Sequence, residues 1–221
     1  VHPQAELADN VSVGPYSIIG PHVSSGEHTW VGPHVVIEGH TTLGPHNKVF
    51  QFASIGSMPQ DLKYSGEPST VVIGAGNIIR EYVTIQPGTR GGLMTTRVGD
   101  RNLFMASSHV GHDCIVGSGN VFANSVGLAG HVEIMNYAVL GGMVGVHQFC
   151  RIGNYAMISG GAKVGHDIPP YCIGPRHPPH PPGIRACHCF QQRSARRLGR
   201  HSAICPCREL CHARRRLKGR S

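Results

Sequence analysis

Apolar residues followed by glycine recur at Val13-Gly14, Ile19-Gly20, Val31-Gly32, Leu43-Gly44 and Ile55-Gly56, always separated by multiples of six, and positions 25, 37 and 49 keep the register more weakly. The pattern resumes in phase at Ile73-Gly74, Ile79 and Ile85. After one extra residue it runs unbroken through Val98, Phe104, Val110, Val116, Phe122, Leu128, Ile134, Leu140, Val146, Ile152, Ile158 and Val164. Two residues before these positions stands a second set, including Val11, Val23, Val35, Val71, Val83, Cys114, Val126, Val132, Val144 and Cys150, with Asn at 47, 77, 102 and 120. An amphipathic helix needs apolar spacing near 3.6, which period six does not supply. Alternation over i and i+2, broken by Gly or Asn every sixth residue, predicts very short strands joined by tight turns.

One such hexad cannot bury its apolar face alone, so successive units must coil and stack as a solenoid. The reading is an all-β domain over residues 1–173. Two segments escape the period and are expected to leave the coil as loops: residues 57–70, "SMPQDLKYSGEPST", and 87–97, "PGTRGGLMTTR". Long excursions from a rigid scaffold are common places for function.

Charge divides the chain. Residues 1–170 carry 8 Lys and Arg against 11 Asp and Glu, with two Cys, whereas residues 171–221 carry 12 Lys and Arg against Glu209 alone, with six Cys. The formal charge of +8 therefore belongs to the end of the chain. Residues 174–221 read as an irregular tail without hexads, rich in Arg, His, Pro and Cys and nearly without Lys. That bias is typical of GC-rich DNA read in the wrong frame, and a frameshifted, disordered tail is the leading expectation. Cys187, Cys189, Cys205, Cys207 and Cys211 suggest a zinc module only weakly, because CxC pairs fit poorly to the usual CxxC spacing. An Arg-rich tail also attracts RNA or anionic membrane by charge alone, but no nucleic-acid partner is expected. No apolar run of the given residues approaches the 18 or so that cross a bilayer, and a secretory leader is not expected. The expectation is a cytoplasmic protein without a membrane span. Cys114 and Cys150, the two thiols of residues 1–170, fit a reducing compartment. The sequence opens at Val1 already in pattern, which predicts a short missing N-terminal piece.

The period-six pattern resembles the hexapeptide-repeat family, which implies a left-handed parallel β-helix of triangular section with three hexads per coil. On that spacing His112, Gly130 and Gln148 fall in one column, on coils roughly 4.8 Å apart, with His131 and His147 beside it. Within "SSHVGHDCIVG" (107–117), His109, His112 and Asp113 join the same cluster.

Together with "QFASIGSMPQDLKYSGEPS" (51–69), "GLAGHVEI" (127–134) and "GGMVGVHQFCRIG" (141–153), this segment looks like one subfamily, the UDP-N-acetylglucosamine O-acyltransferases that begin lipid A synthesis. The likeness covers residues 1 to about 173. It implies transfer of an (R)-3-hydroxyacyl group from acyl carrier protein to the sugar 3-hydroxyl, with no cofactor and no metal. Neutral imidazole suits removal of the hydroxyl proton, and His112 matches the family's general base. Asp113 would hold its tautomer, and Gly130 matches the oxyanion position. Gln60, Asp61 and Lys63 match the substrate-contacting loop, His109, His131, His147 and Gln148 match cleft residues, and Gly160 matches the position that measures acyl length. The family's helical C-terminal domain is not recognisable in the tail, so contacts it would supply are expected to be lost. A homotrimer with clefts between neighbours is implied.

Three competing readings remain open at this point. A γ-type carbonic anhydrase would use His109, His112 and His131 as zinc ligands, but the QDLKY excursion has no purpose there. The N-acyltransferase of the same pathway acylates an amine. A non-catalytic solenoid would present regular ladders rather than irregular His and Gln.

Overall fold

The computed structural model describes residues 1–174 and the backbone of the strand His188–Cys189. Within it the chain coils through three parallel sheets in turn. The first runs from Glu6–Leu7 to Arg151–Ile152, the second from Ser12–Val13 to Cys172–Ile173, and the third from Ile18–Ile19 to Lys163–Val164. The strand His188–Cys189 pairs antiparallel with Cys172–Ile173 at the end of the second sheet. Tail expectations for residues 175–187 and 190–221 lie outside the described residues.

Most strands are two residues long, one side chain outward and one inward, as alternation requires. The inward positions are the apolar hexad residues, and they make one core from Ile19 to Val164. Phe104 and Phe122, both fully buried, stack with ring centroids 4.6 Å apart. Burying one such side chain contributes about 1.5–3 kcal/mol, so stability grows coil by coil.

Three corners separate the sheets. Near the first corner, between the first and second sheets, buried Asn47, Asn77, Asn102 and Asn120 form a ladder. The Oδ1 of each of the first three accepts the backbone N–H and the side-chain amide of the next, and the Oδ1 of Asn120 accepts the Ala138 N–H at 2.7 Å. The second corner carries a stack of outward rings, Tyr16, His34, Phe52 and Tyr82, with centroids 5.0, 5.4 and 5.1 Å apart. The third corner, between the third and first sheets, carries both excursions.

One sequence expectation changes here, and the role of the glycines becomes visible. The excursions are shorter than the period suggests: Thr70 already belongs to the strand Thr70–Ile73, and Thr95–Val98 is a four-residue strand, so the chain re-enters the coil before residue 97. Most glycines of the apolar-Gly pairs do not take left-handed backbone; Gly56, with φ of 81° at the mouth of the first excursion, does. At the second corner Tyr16 takes φ of 60° and His34 of 54°, two residues beyond Gly14 and Gly32. Gly14 is required for a different reason. A Cβ there would lie 2.6 Å from the Gly32 carbonyl carbon of the next coil, a distance no side chain tolerates. The glycine serves close stacking, and the turn is made by whatever residue follows, at roughly 1–2 kcal/mol for a non-glycine.

Candidate active site at the third corner

The parallel register places His109 opposite Gly127, and Gly127 opposite Gly145, each one coil further along. His112, Gly130 and Gln148 therefore share a column at the third corner, as the period requires. Asp113 and His131 occupy the left-handed turn position of successive coils, with φ of 58° and 62°. The Asp113 carboxylate meets the second excursion of the preceding coil at Thr89 and Leu93. It is buried, and its Oδ2 lies 2.8 Å from Nδ1 of His112.

Asp113 is saturated with donors. Its Oδ1 accepts from the N–H of Leu93 at 2.7 Å and of Thr89 at 3.2 Å, and its Oδ2 accepts from the Thr89 N–H at 3.0 Å and hydroxyl at 2.8 Å. Burial works to raise its pKa, but the hydrogen bonds from His112, Thr89 and Leu93 outweigh burial and hold the carboxyl below its ordinary value. An ionised Asp113 accepts the Nδ1–H of His112, which leaves Nε2 with its lone pair free.

Nε2 faces Gly130. A Cβ on Gly130 would overlap the Cε1–Nε2 edge of the His112 ring, so only glycine leaves this edge open. The Gly130 N–H, like those of His112 and Gln148 in the same column, finds no acceptor among the described residues. A proton acceptor and an uncommitted amide donor thus stand side by side. The His112 side chain is 12% exposed, enough to be reached.

Around this pair, His131 sets its ring edge-on to His112, centroids 5.0 Å apart, and is braced from the other side by Phe149, stacked at 4.6 Å. His109 is bound through Nδ1 to the Thr84 hydroxyl at 2.7 Å. Burial first, and the neighbouring His112 second, push its pKa below the usual imidazole value and keep it neutral. His147 and Gln148 are exposed on the next coil, with His147 Nδ1 3.3 Å from the Gln148 carbonyl oxygen.

Gln60, Asp61 and Lys63 leave from the same corner in the first excursion. The Gln60 N–H donates to Gln86 Oε1 at 3.1 Å, and Asp61 Oδ1 accepts from the Lys63 N–H at 3.0 Å. No hydrogen bond or ion pair among the described residues joins Asp61 or Lys63 to His112. Gly160 is not brought to the cluster: it lies at the second corner, stacked against Gly142.

Sequence reasoning missed Glu67, Thr89, Gln86 and Phe149. Buried Glu67 closes the base of the first excursion, accepting from the Arg90 N–H at 2.8 Å and from the Ser65 N–H at 2.9 Å. These amides, Arg90 first, hold its pKa down at about 2. No spacing pattern points to a loop glutamate whose partner sits on the other excursion. Phe149 was readable only as the residue following Gln148 in "VHQF".

The side chains of His112, Asp113 and His131 also have the proximity of a metal-binding group, with ligand atoms within 4.8 Å of one another. Their chemistry fits poorly, because every acceptor site of Asp113 already has a donor. The zinc triad of the carbonic anhydrase reading fares worse still, since His109 is turned to Thr84 and stands outside the group.

The site belongs to a parallel β-helix carrying a His–Asp dyad beside a bare backbone amide. No protein-family profile matches the chain. Curated relatives do: it is 54% identical over 184 residues to the acyl-[acyl-carrier-protein]–UDP-N-acetylglucosamine O-acyltransferase of Thiobacillus denitrificans, covering 83% of this chain and 71% of that one. Identity to the Helicobacter pylori enzyme of the same name is 53% over 125 residues, 57% of this chain and 46% of that one. Among solved structures, the Moraxella catarrhalis UDP-N-acetylglucosamine O-acyltransferase superposes with a TM-score of 0.82 at 43% identity, over 90% of this chain and 76% of that one. The Francisella novicida UDP-N-acetylglucosamine acyltransferase gives 0.77 at 47%, over 78% and 63%. The chain belongs to the acyl-carrier-protein-dependent UDP-N-acetylglucosamine O-acyltransferase family and has its left-handed β-helix. It spans from about half to about seven tenths of the length of these curated relatives. No helix among the described residues is long and apolar enough to cross a membrane.

Proposed function

We propose that this chain carries the site for transfer of an (R)-3-hydroxyacyl group from acyl carrier protein to the 3-hydroxyl of UDP-N-acetylglucosamine, the first step of lipid A synthesis. The observation that carries the reading is the His112–Asp113 pair with Nε2 against Gly130. Nε2 takes the sugar hydroxyl proton as the oxygen attacks the thioester carbonyl. The carbonyl oxygen gains charge and draws on the free N–H of Gly130. The C–S bond then breaks, and the imidazolium returns its proton to the departing thiolate. Asp113 stabilises the imidazolium between the two transfers. In this reading Gln60, Asp61 and Lys63 hold the sugar nucleotide, His131, His147, Gln148 and neutral His109 line its cleft, and Gly160, at the position that measures the acyl chain, leaves the groove open to a longer one.

The same reading has the enzyme working in the cytoplasm as a homotrimer whose clefts lie between subunits. What supports assembly is an outward apolar column on the second sheet, Ile78, Leu103, Val121, Val139 and Met157, one per coil. Val139 is 37% and Met157 50% exposed in the single chain, a surface that a neighbouring subunit would cover. It also accounts for Gly160 standing at a different corner from His112, since a neighbour's second corner can meet the third. Sedimentation as a stable monomer would count against shared clefts.

The deciding experiment is an acyl-transfer assay of the chain with UDP-N-acetylglucosamine and 3-hydroxyacyl carrier protein, beside His112→Ala. Turnover in the variant should fall by about 10²–10⁴, the range for a lost general base, with sugar-nucleotide binding kept. Near wild-type turnover in a folded variant would remove His112 from the mechanism.

A further inference from the structure

The second excursion, residues 86–94, touches the dyad at its buried end. Gln86, Pro87, Gly88 and Thr89 are buried while Arg90–Leu93 are exposed. We propose that Thr89 is a positioning residue for His112, acting through Asp113, and that the loop is built to fix the imidazole tautomer rather than to touch substrate. The catalytic consequence rests on reading His112 as the general base.

Three observations carry this. Thr89 is 2% exposed and directs both its backbone N–H and its hydroxyl proton to Asp113. The hydroxyl and His112 Nδ1 converge on the same oxygen, Oδ2, each at 2.8 Å, so the hydroxyl sets the plane in which that oxygen meets the imidazole. Without it, Oδ2 keeps only the Thr89 N–H, shared between both oxygens at 3.0 and 3.2 Å, and His112 itself, while Oδ1 keeps the shorter Leu93 N–H at 2.7 Å. One glycine of the loop points the same way. A Cβ on Gly92 would overlap the Asp113 carboxylate, so the loop lies directly against it at that residue, whereas Gly88 is required first by the loop's own backbone at Met94 and Thr95. At its outer end Glu67 grips the loop through the Arg90 N–H, and Gln86 accepts from Gln60, which ties the substrate loop to the same assembly.

A buried threonine bonded to a buried carboxylate also stabilises a fold, so the test must read the imidazole itself. Thr89→Val removes the hydroxyl at nearly constant volume, and Thr89→Ser restores it. In ¹⁵N-histidine-labelled protein, with His112 assigned by loss of its signals in His112→Gln, the wild type should show the Nδ1–H tautomer alone. Thr89→Val should show a mixture of tautomers and Thr89→Ser should return to the wild-type pattern. Turnover should fall about tenfold in Thr89→Val, a part of the full general-base contribution, with KM for both substrates within about twofold of wild type. If the Val variant does not fold, Thr89→Ala removes the same donor with less strain. A pure Nδ1–H tautomer in the folded Val or Ala variant overturns the proposal, as does a Ser variant that fails to rescue. Wild-type protein that transfers no acyl group, with the tautomer mixture still appearing in Thr89→Val and reversed in Thr89→Ser, would support the positioning role and defeat the proposed function instead.

Discussion

The first and third corners are made on the same hexad backbone and use a column of stacked positions in opposite ways. At the first, one residue type repeats, and Asn47, Asn77, Asn102 and Asn120 satisfy each other from coil to coil. At the third, the column reads His112, Gly130, Gln148, with no repetition and with backbone N–H groups that find no acceptor among the described residues. A stack that only has to hold together favours the same side chain at every step, because each copy solves the same local problem. Where the column stops repeating, the partner of a residue is no longer the next coil. The difference teaches where to look for chemistry in a repeat protein.

The comparison breaks most sharply at Gly130. Gly130→Ala should lower turnover by about 10²–10³, the loss of an oxyanion donor, or more, because the methyl meets Nε2 of His112. Steady-state assay and thermal melting together check this, since melting should hardly move. The converse substitution is Asn102→Ala. It strands the Asn120 N–H and the Gly117 carbonyl, which Asn102 serves at 2.8 and 2.9 Å. Stability in urea should fall by about 2–4 kcal/mol, while turnover of the folded fraction stays at the wild-type value. Gly160→Met tests whether a residue at a remote corner of its own chain bears on the site. A shift of donor preference toward shorter acyl chains by about tenfold, the scale of a few methylenes in an apolar groove, is expected in competition assays. An unchanged profile would remove Gly160 from acyl selection.

The smallest effect concerns the acid range. Glu67 and Asp113 both have folded-state pKa values below their ordinary ones, Glu67 at about 2. For such groups the stabilising contribution is complete above the unfolded value, about 4.3 for Glu, and is lost as pH falls through the folded one. Hydrogen exchange at the Arg90 and Ser65 amides should therefore keep its protection from pH 7 to about 5, and that protection should begin to fail only below about pH 4.

The hexad made the solenoid legible, and three hexads to a coil also made legible which distant residues share a column. Hence His112, Gly130 and Gln148 could be placed together before any coordinates. The same period does not say what each glycine is for: Gly14 is fixed by contact with Gly32, and the left-handed turn falls on Tyr16. Thr89 and Glu67 were not legible at all. Their partners, Asp113 and the Arg90 amide, lie across aperiodic loops 24 and 23 residues away, and nothing in composition or spacing marks such pairs. The ends of the excursions were misplaced because Thr70 and Thr95 resume strand pairing before the first recognisable apolar-Gly signal.

The asparagine ladder steps 30 residues from Asn47 to Asn77 and 25 from Asn77 to Asn102, against 18 from Asn102 to Asn120, and is unbroken throughout. The spring is therefore indifferent to how much polypeptide is let out at that one vertex, even when the surplus is not a whole number of repeats. Catalytic attachments can be lengthened, exchanged or redesigned there without re-engineering the shaft that carries them.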